Sequence, residues 1–272
     1  LRYSPPMRAN HRYFAAIALT GAALLSSAAF ADDEAALRAR FRASYDAAAS
    51  GVVQEDDREL RSYLLYPYLR AARLEHALGK AQDPWEAADD AAAELIVETA
   101  GQPLGLALRR TWLTSLARRA AWAAFLEHYD AAVATPALEC QRFNARIARD
   151  ETAGLAAEIR SRWLTGRRLP GECEPAFRWL TAAGELSNDA IAQRVDLLLD
   201  NGQAAFARTV AARLPRTTAA PLLLRADFIE HPARMLDAWL QGTVGGVPTA
   251  VVLAAWSRLA RATPREAAAR YA

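Results

Sequence analysis

The segment CQRFNARIARDETAGLAAEIRSRWLTGRRLPGEC, residues 140–173, decides the fold class. Within it Leu155, Ile159 and Trp163 are spaced four residues apart, which places them on one face of an α-helix. Gly166 follows at a position where a residue in the left-handed conformation commonly ends a helix. The segment therefore predicts a short helix that buries one face and ends at Gly166.

Similar short helical patterns recur on both sides of this segment. The apolar residues between Leu104 and Leu116 follow the same four-residue spacing. After Cys173, Pro175 is typical of a first helical turn, and Gly184 is typical of a helix end. Ala, Leu, Arg and Glu are abundant and favour helices, whereas no stretch alternates with a period of two. The sequence therefore predicts helices throughout the chain.

Further helix boundaries follow toward the C-terminus. Ser187 is a suitable N-cap, and Asn201-Gly202 is a suitable end for the helix that begins after it. Pro215 ends the next pattern, residues 252–259 form another, and Thr263-Pro264 begins the last. Helices of about 10–15 residues with short connections must pack as antiparallel neighbours. We predict an all-α fold, an α-superhelix or solenoid of short antiparallel helix pairs.

The first 31 residues have the features of a secretory signal peptide. Basic residues after Met7 precede an apolar run over residues 13–25, and small residues at the end of the segment suit a signal peptidase. We predict cleavage between Ala31 and Asp32, which leaves residues 32–272 as the mature chain. The apolar run is shorter than the roughly 20 residues of a membrane span. We therefore expect a periplasmic protein with no membrane span after signal removal, and we interpret the residues before Met7 as upstream sequence.

The chain contains two cysteines, Cys140 and Cys173. An exported protein meets an oxidising compartment, where such a pair most simply forms a disulfide. Closing a loop of this length stabilises a fold by roughly 3–4 kcal/mol in the chain-entropy model. Two unrelated buried thiols are the alternative.

The charge balance argues against nucleic acid as a partner. The chain has 33 basic and 31 acidic residues, but Arg2, Arg8 and Arg12 belong to the predicted signal peptide. The mature chain therefore has 30 basic and 31 acidic residues. No basic surface large enough for nucleic acid is expected.

The sequence contains none of the common catalytic motifs. It has no His-Glu-x-x-His, no Gly-rich phosphate loop and no Gly-x-Ser-x-Gly. His76, His128 and His231 are isolated, so we expect surface or capping roles. The acidic groups at 55–57 and 89–90 have the residue types of a glycosidase pair, but they lie near predicted helix starts, where negative charge is favoured. We therefore predict no catalytic, cofactor-binding or metal-binding residue and no cofactor.

The tryptophans allow two interpretations. Seven are present, and such rings can form a sugar-binding surface. However, Trp112, Trp163 and Trp256 are in register with aliphatic residues of their helices, which favours burial in the core.

Several short motifs together resemble a known family. They are Leu65-Tyr66-Pro67-Tyr68-Leu69, Glu139-Cys140-Gln141, Trp163-Leu164-Thr165-Gly166 and Cys173, in this order in an exported helical chain. This combination resembles the N-terminal superhelical region of the soluble lytic murein transglycosylases. The resemblance spans residues 34 to at least 199.

The resemblance implies a U-shaped α-superhelix that acts with a C-terminal lysozyme-like domain. In that family a Glu within a Glu-Ser motif cleaves the MurNAc–GlcNAc bond and leaves a 1,6-anhydromuramoyl end. These 272 residues contain no Glu-Ser dipeptide, so no catalytic residue is carried over. We interpret residues 32–272 as the superhelical domain of a periplasmic lytic transglycosylase, cut before its catalytic domain. The expected partners are peptidoglycan glycan strands and the protein's own C-terminal catalytic domain.

Two other hypotheses stay open. The chain could be a complete, non-catalytic periplasmic helical-repeat scaffold that binds a protein partner. It could also be a small enzyme that uses the acidic groups. The coding sequence after Ala272 distinguishes the scaffold from the transglycosylase part, since a Glu-Ser motif downstream would exclude the scaffold.

Overall fold

The computed structural model describes residues 33–52 and 54–271. The regular structure within these ranges is helical, with no strand. The predicted signal peptide and its cleavage site between Ala31 and Asp32 lie outside the described residues.

The first compact unit ends at Arg119. Its described helices are α1 (33–49), α2 (Arg58–Arg61), α3 (Tyr66–Lys80), α4 (Ala87–Glu98) and α5 (Pro103–Arg118). The Leu65–Leu69 motif begins α3, with a proline in the first helical turn, where the missing N–H has no intrahelical partner to lose. Helix α3 packs on both α4 and α5, and α4 packs on α5.

The second compact unit begins at Ala120. Its described helices are α6 (Trp122–His128), α7 (Pro136–Ala148), α8 (Leu155–Trp163), α9 (Glu174–Ala182), α10 (Asn188–Asp200), α11 (Ala204–Ala211), α12 (Arg216–Glu230), α13 (Pro232–Leu240), α14 (Thr249–Ala262) and α15 (Pro264–Tyr271). Two 3₁₀ turns, Ala131–Val133 and Gly171–Cys173, lie between them.

The helices of each unit pack mainly on neighbours in the sequence. In the second unit α10 packs on α11 and α12, α12 packs on α13 and α14, and α14 packs on α15. Each helix therefore buries its apolar face against the next one or two helices, as a solenoid requires. The predicted fold class, all-α with short helices in a solenoid, is confirmed.

Local sequence signals set several helix ends as predicted. The Ser187 hydroxyl accepts a hydrogen bond from the Ala190 N–H at 3.2 Å and caps α10. Gly184 and Gly202 have φ of +73° and +72° after α9 and α10. This left-handed conformation is nearly free of steric cost for glycine, which explains why the chain turns there.

The interpretation of Gly166 as a left-handed helix end is wrong. Gly166 does not have a positive φ and is buried against the end of α10. A Cβ atom at this position would overlap Nδ2 of Asn201 and the carbonyl oxygen of Leu197. These two groups hydrogen-bond each other at 2.8 Å at the end of α10. Glycine is therefore needed here for the close approach of two backbones.

Replacing Gly166 by alanine is expected to lower the free energy of unfolding by about 1–3 kcal/mol, because the Cβ must displace the end of α10. Gly171 is the matched control, since a Cβ there meets no atom within 4 Å. Gly171→Ala is expected to change stability by less than about 0.5 kcal/mol. Urea titrations of the two variants and the unchanged protein measure the difference. Equal stability of the two variants would contradict the close approach.

Between Pro215 and the pattern at residues 252–259 the sequence predicted no helix, but the structure has two there, α12 and α13. Pro221 lies inside α12, and an interior proline normally indicates a helix break. Helix α12 also packs on four others, α10, α11, α13 and α14. Its apolar residues therefore do not form the single stripe on which the periodicity argument depends.

Candidate functional site

The disulfide segment holds α7 and α9 together. Cys140 lies in α7 and Cys173 ends the 3₁₀ turn before α9; both are fully buried. Their sulfur atoms are bonded, with the Cα atoms 4.8 Å apart and the two residues 33 positions apart in the sequence. The bond restricts the unfolded chain, an effect worth roughly 3–4 kcal/mol for such a loop in the chain-entropy model.

Trp163 ends α8 inside this segment and is buried, as its register predicted. It is 5% exposed. Its ring meets that of Phe177 edge to face, with the centroids 5.0 Å apart. The indole Nε1 is buried and has no hydrogen-bond partner. The ring therefore belongs to the core and is not an open sugar-binding surface, although its polar atom is unsatisfied.

Arg194 is the residue of this region that sequence reasoning missed. It lies on α10, is 2% exposed, and its guanidinium carbon lies 3.7 Å from the centroid of the Trp163 ring. Its Nε and Nη1 atoms are buried without hydrogen-bond partners. The pKa of Arg194 is lowered to about 10, mainly by burial; the nearby charge of Glu174 opposes this shift and that of Arg213 adds to it. The sequence does contain a signal for its burial, because position 194 is in helical register with the apolar residues Ile191 and Leu198.

A cavity of about 470 Å³ lies next to this arginine. Helices α8, α9, α10 and α11 and the Arg213 segment form its walls. Trp163, Phe177 and Phe206 provide aromatic surface. The charged residues of the lining are Arg178, Arg194, Arg213 and one carboxylate, Glu174. Nη2 of Arg213 donates a hydrogen bond to the Thr181 hydroxyl at 3.0 Å. The cavity thus combines apolar walls with convergent cationic groups, which is the usual composition of a small-ligand site.

Asp56, in the first acidic group, is an internal partner of an arginine. It is nearly buried and accepts hydrogen bonds from Arg73 at 2.6 and 2.8 Å and from the Tyr66 hydroxyl at 2.9 Å. The Arg73 hydrogen bonds lower the pKa of Asp56 against the opposing effect of burial. Its neighbour Asp57 caps α2 through the Leu60 N–H. These contacts give the group a structural role.

Asp89, in the second acidic group, is fully buried at the start of α4. It accepts hydrogen bonds from Arg119 at 2.6 and 3.0 Å, from the Trp112 indole at 2.7 Å and from the Glu86 N–H at 2.7 Å. Burial raises the pKa of Asp89, but the hydrogen bonds, that of Arg119 foremost, outweigh it, so the pKa is lowered. Asp90 is exposed and accepts a hydrogen bond from the Trp85 indole. The two carboxylates thus accept hydrogen bonds near the start of α4, and they do not form an acid–base pair.

The three histidines among the described residues lie apart from one another. His231 is exposed, and its backbone joins α12 to α13. His76 and His128 are half-buried in different units. In the part of the chain that the structure describes, no three His, Cys, Asp or Glu side chains are grouped as metal ligands.

The other tryptophans differ in exposure. Trp112 is 2% exposed, which agrees with its predicted core position. Trp256 is only half-buried and packs against the edge of the core. Trp85 and Trp239 are 42% and 39% exposed. Among the described residues no helix has both the length and the apolar character that a bilayer crossing requires.

Comparison with known proteins identifies relatives. No family model matches the chain. The soluble lytic murein transglycosylase of Salmonella typhimurium is 23% identical over 177 residues, which is 65% of this chain and 26% of that protein. The chain thus spans about a quarter of the length of the curated relative that it matches.

Solved structures show the same fold. An inactive mutant of the lytic transglycosylase Slt from Pseudomonas aeruginosa aligns with a TM-score of 0.61 and 24% identity, over 84% of this chain and 37% of that one. The 70-kDa soluble lytic transglycosylase of Escherichia coli aligns with a TM-score of 0.67 and 20% identity, over 87% of this chain and 37% of that one. The resemblance predicted from the motifs is confirmed: the chain is homologous to part of the soluble lytic murein transglycosylases over about two thirds of its length.

Proposed function

We propose that this chain is the N-terminal superhelical part of a periplasmic lytic transglycosylase, and that residues 32–272 form its helical domain. The observation that carries the proposal is that the sequence comparison and the structure comparison both find proteins of one family. The relative of known name and the solved chains are all lytic transglycosylases, and this chain spans only 26–37% of their lengths. The remaining length is where a lysozyme-like catalytic domain would lie.

In this proposal the whole protein cleaves the MurNAc–GlcNAc bond, with peptidoglycan strands and its own catalytic domain as partners of the helical part. Cleavage requires a carboxylic acid that is protonated near neutral pH, and therefore has a raised pKa. The pKa values of Asp56, Asp89 and Glu158 are instead lowered by arginine hydrogen bonds, which for Asp89 outweigh burial. These carboxyl groups are ionised at pH 7 and cannot protonate a glycosidic oxygen. Burial raises the pKa of Glu75, but Glu75 is not followed by the serine of the family's Glu-Ser motif, which this sequence lacks. We therefore assign the general acid to the catalytic domain.

The test compares the chain of residues 32–272 with the full product of its gene. Each is incubated with isolated sacculi, and the released muropeptides are separated by chromatography. We expect anhydromuropeptides from the full product and none above the buffer control from the chain alone. Release by the chain alone would mean that a catalytic carboxylate lies within it.

The same experiment separates the alternative functions. If the reading frame ends after Ala272 and nothing is released, the chain is a non-catalytic scaffold and the proposal fails. Export is tested separately by N-terminal sequencing of protein from the periplasmic fraction, which should begin at Asp32.

A further inference from the structure

Arg194 carries a charge in the interior of the second unit that Glu174 attracts but that hydrogen bonds satisfy only in part. Native proteins pair buried charges, because leaving one without a partner costs much of its solvation energy. Here two of the three guanidinium nitrogens are buried without a partner. The stacking on Trp163 recovers only part of this cost, since a cation–π contact is weaker than a charge-assisted hydrogen bond. The site is therefore electrostatically incomplete by itself.

The cavity beside Arg194 has the shape and charge to complete it. Its volume is about 470 Å³, and it is lined by Trp163, Phe177 and Phe206 next to Arg194 and Arg213. The guanidinium carbon of Arg213 lies 5.3 Å from the Trp163 ring centroid, so both arginines border the same ring. The lining has three arginines, counting Arg178, against one carboxylate, Glu174, so its net charge is positive and an anion between Arg194 and Arg213 would be attracted.

We propose that this cavity binds a small organic carboxylate, such as the carboxyl terminus of a short peptide. The carboxylate pairs with Arg194 and Arg213, and the carbon body of the ligand packs on Phe206 and the other aromatic walls. A carboxylate suits the site better than inorganic phosphate, because the aromatic walls offer burial to carbon groups and none to a fully hydrated ion. The inference does not depend on the proposed lytic activity.

Binding is measured with three probes on the purified chain: N-acetyl-alanyl-alanine, the same peptide as its C-terminal amide, and inorganic phosphate. Isothermal titration gives affinities, and the seven indole N–H signals in ¹H–¹⁵N spectra report the site. The Trp163 signal is identified by its loss in Trp163→Phe. We expect the acid to bind and to shift this signal. Binding of the amide should be at least about tenfold weaker, as expected when a charge-assisted hydrogen bond is lost. Phosphate should also bind at least about tenfold more weakly, because it has no carbon groups to pack on the aromatic walls.

Variants assign the binding to the arginines. Arg194→Met is expected to weaken binding of the acid by at least about tenfold, and Arg213→Gln by a smaller factor. Arg216→Gln is the matched control, since Arg216 is an exposed arginine of the same unit outside the cavity lining. It should leave the affinity unchanged.

A structural role of Arg194 gives different results. If the arginine serves binding, Arg194→Met should melt no lower than the unchanged protein, because an unsatisfied buried charge is removed. A second variant, Arg194→Lys, keeps the charge and should retain weak binding. It tests the proposal even if Arg194→Met does not fold. The proposal is overturned if the acid does not bind at millimolar concentration, if the amide or phosphate binds equally well, or if neither Arg194 variant changes the affinity.

Discussion

Replacing Trp163 by alanine is expected to lower the free energy of unfolding by about 3–5 kcal/mol, the usual cost of deleting a large buried ring. The ring is 5% exposed and packs edge to face on Phe177. Its removal leaves a cavity beside the disulfide and also deprives Arg194 of the surface on which its guanidinium stacks. Chemical denaturation followed by circular dichroism measures the change.

Two variants serve as controls for this prediction. Trp239→Ala removes a ring that is 39% exposed, so the loss should be under about 1 kcal/mol. Trp163→Phe keeps an aromatic ring in the core and should cost less than alanine. If Trp163→Ala leaves the melting temperature unchanged, the ring is not part of the core, and a role as a sugar-binding surface becomes the better interpretation.

Replacing Asp89 by alanine is expected to destabilise the first unit by about 3–5 kcal/mol, because the buried charge of Arg119 then has no carboxylate partner. The side chains of Asp89 and Arg119 are 0% and 1% exposed, and the pair is joined at 2.6 Å. The Trp112 indole loses its acceptor as well. Thermal and urea unfolding measure the effect.

The double variant Asp89→Ala/Arg119→Met removes both charges and should recover part of the loss, since no unpaired ion is then buried. Asp90→Ala is the positional control. Asp90 is exposed, so the change should be about 1 kcal/mol or less. Equal losses for the variants at 89 and 90 would show that the Arg119 pair contributes little.

The Asp89 effect should depend on pH in a defined direction. The folded pKa of Asp89 is lowered, because the hydrogen bonds from Arg119, Glu86 and Trp112 outweigh the effect of burial. The unfolded pKa is about 3.9. The ionised group therefore stabilises the fold fully above that value, and the contribution is lost as the pH falls through the lower folded pKa. The stability difference between the unchanged protein and Asp89→Ala should shrink below about pH 4.

Much of the helical fold was predictable, and the reason is visible at particular residues. Ser187, Gly184 and Gly202 act on the backbone within a few positions, so their effects do not depend on the rest of the fold. The burial of Trp163 followed from its register with Ile159. Helix α12 was missed because Pro221 and contacts on several sides obscure the local pattern.

The sequence by itself determined the helical class, several helix boundaries and the family resemblance, because these depend on signals within short segments. Only the tertiary structure showed why position 166 is glycine, since the crowding atoms belong to Leu197 and Asn201 on another helix. The pairing of Asp89 with Arg119 and the stacking of Arg194 on Trp163 likewise join residues about 30 positions apart. Such contacts depend on how the helices pack, which no single helix specifies. The candidate binding site is built around one of them, the stacking of Arg194 on Trp163.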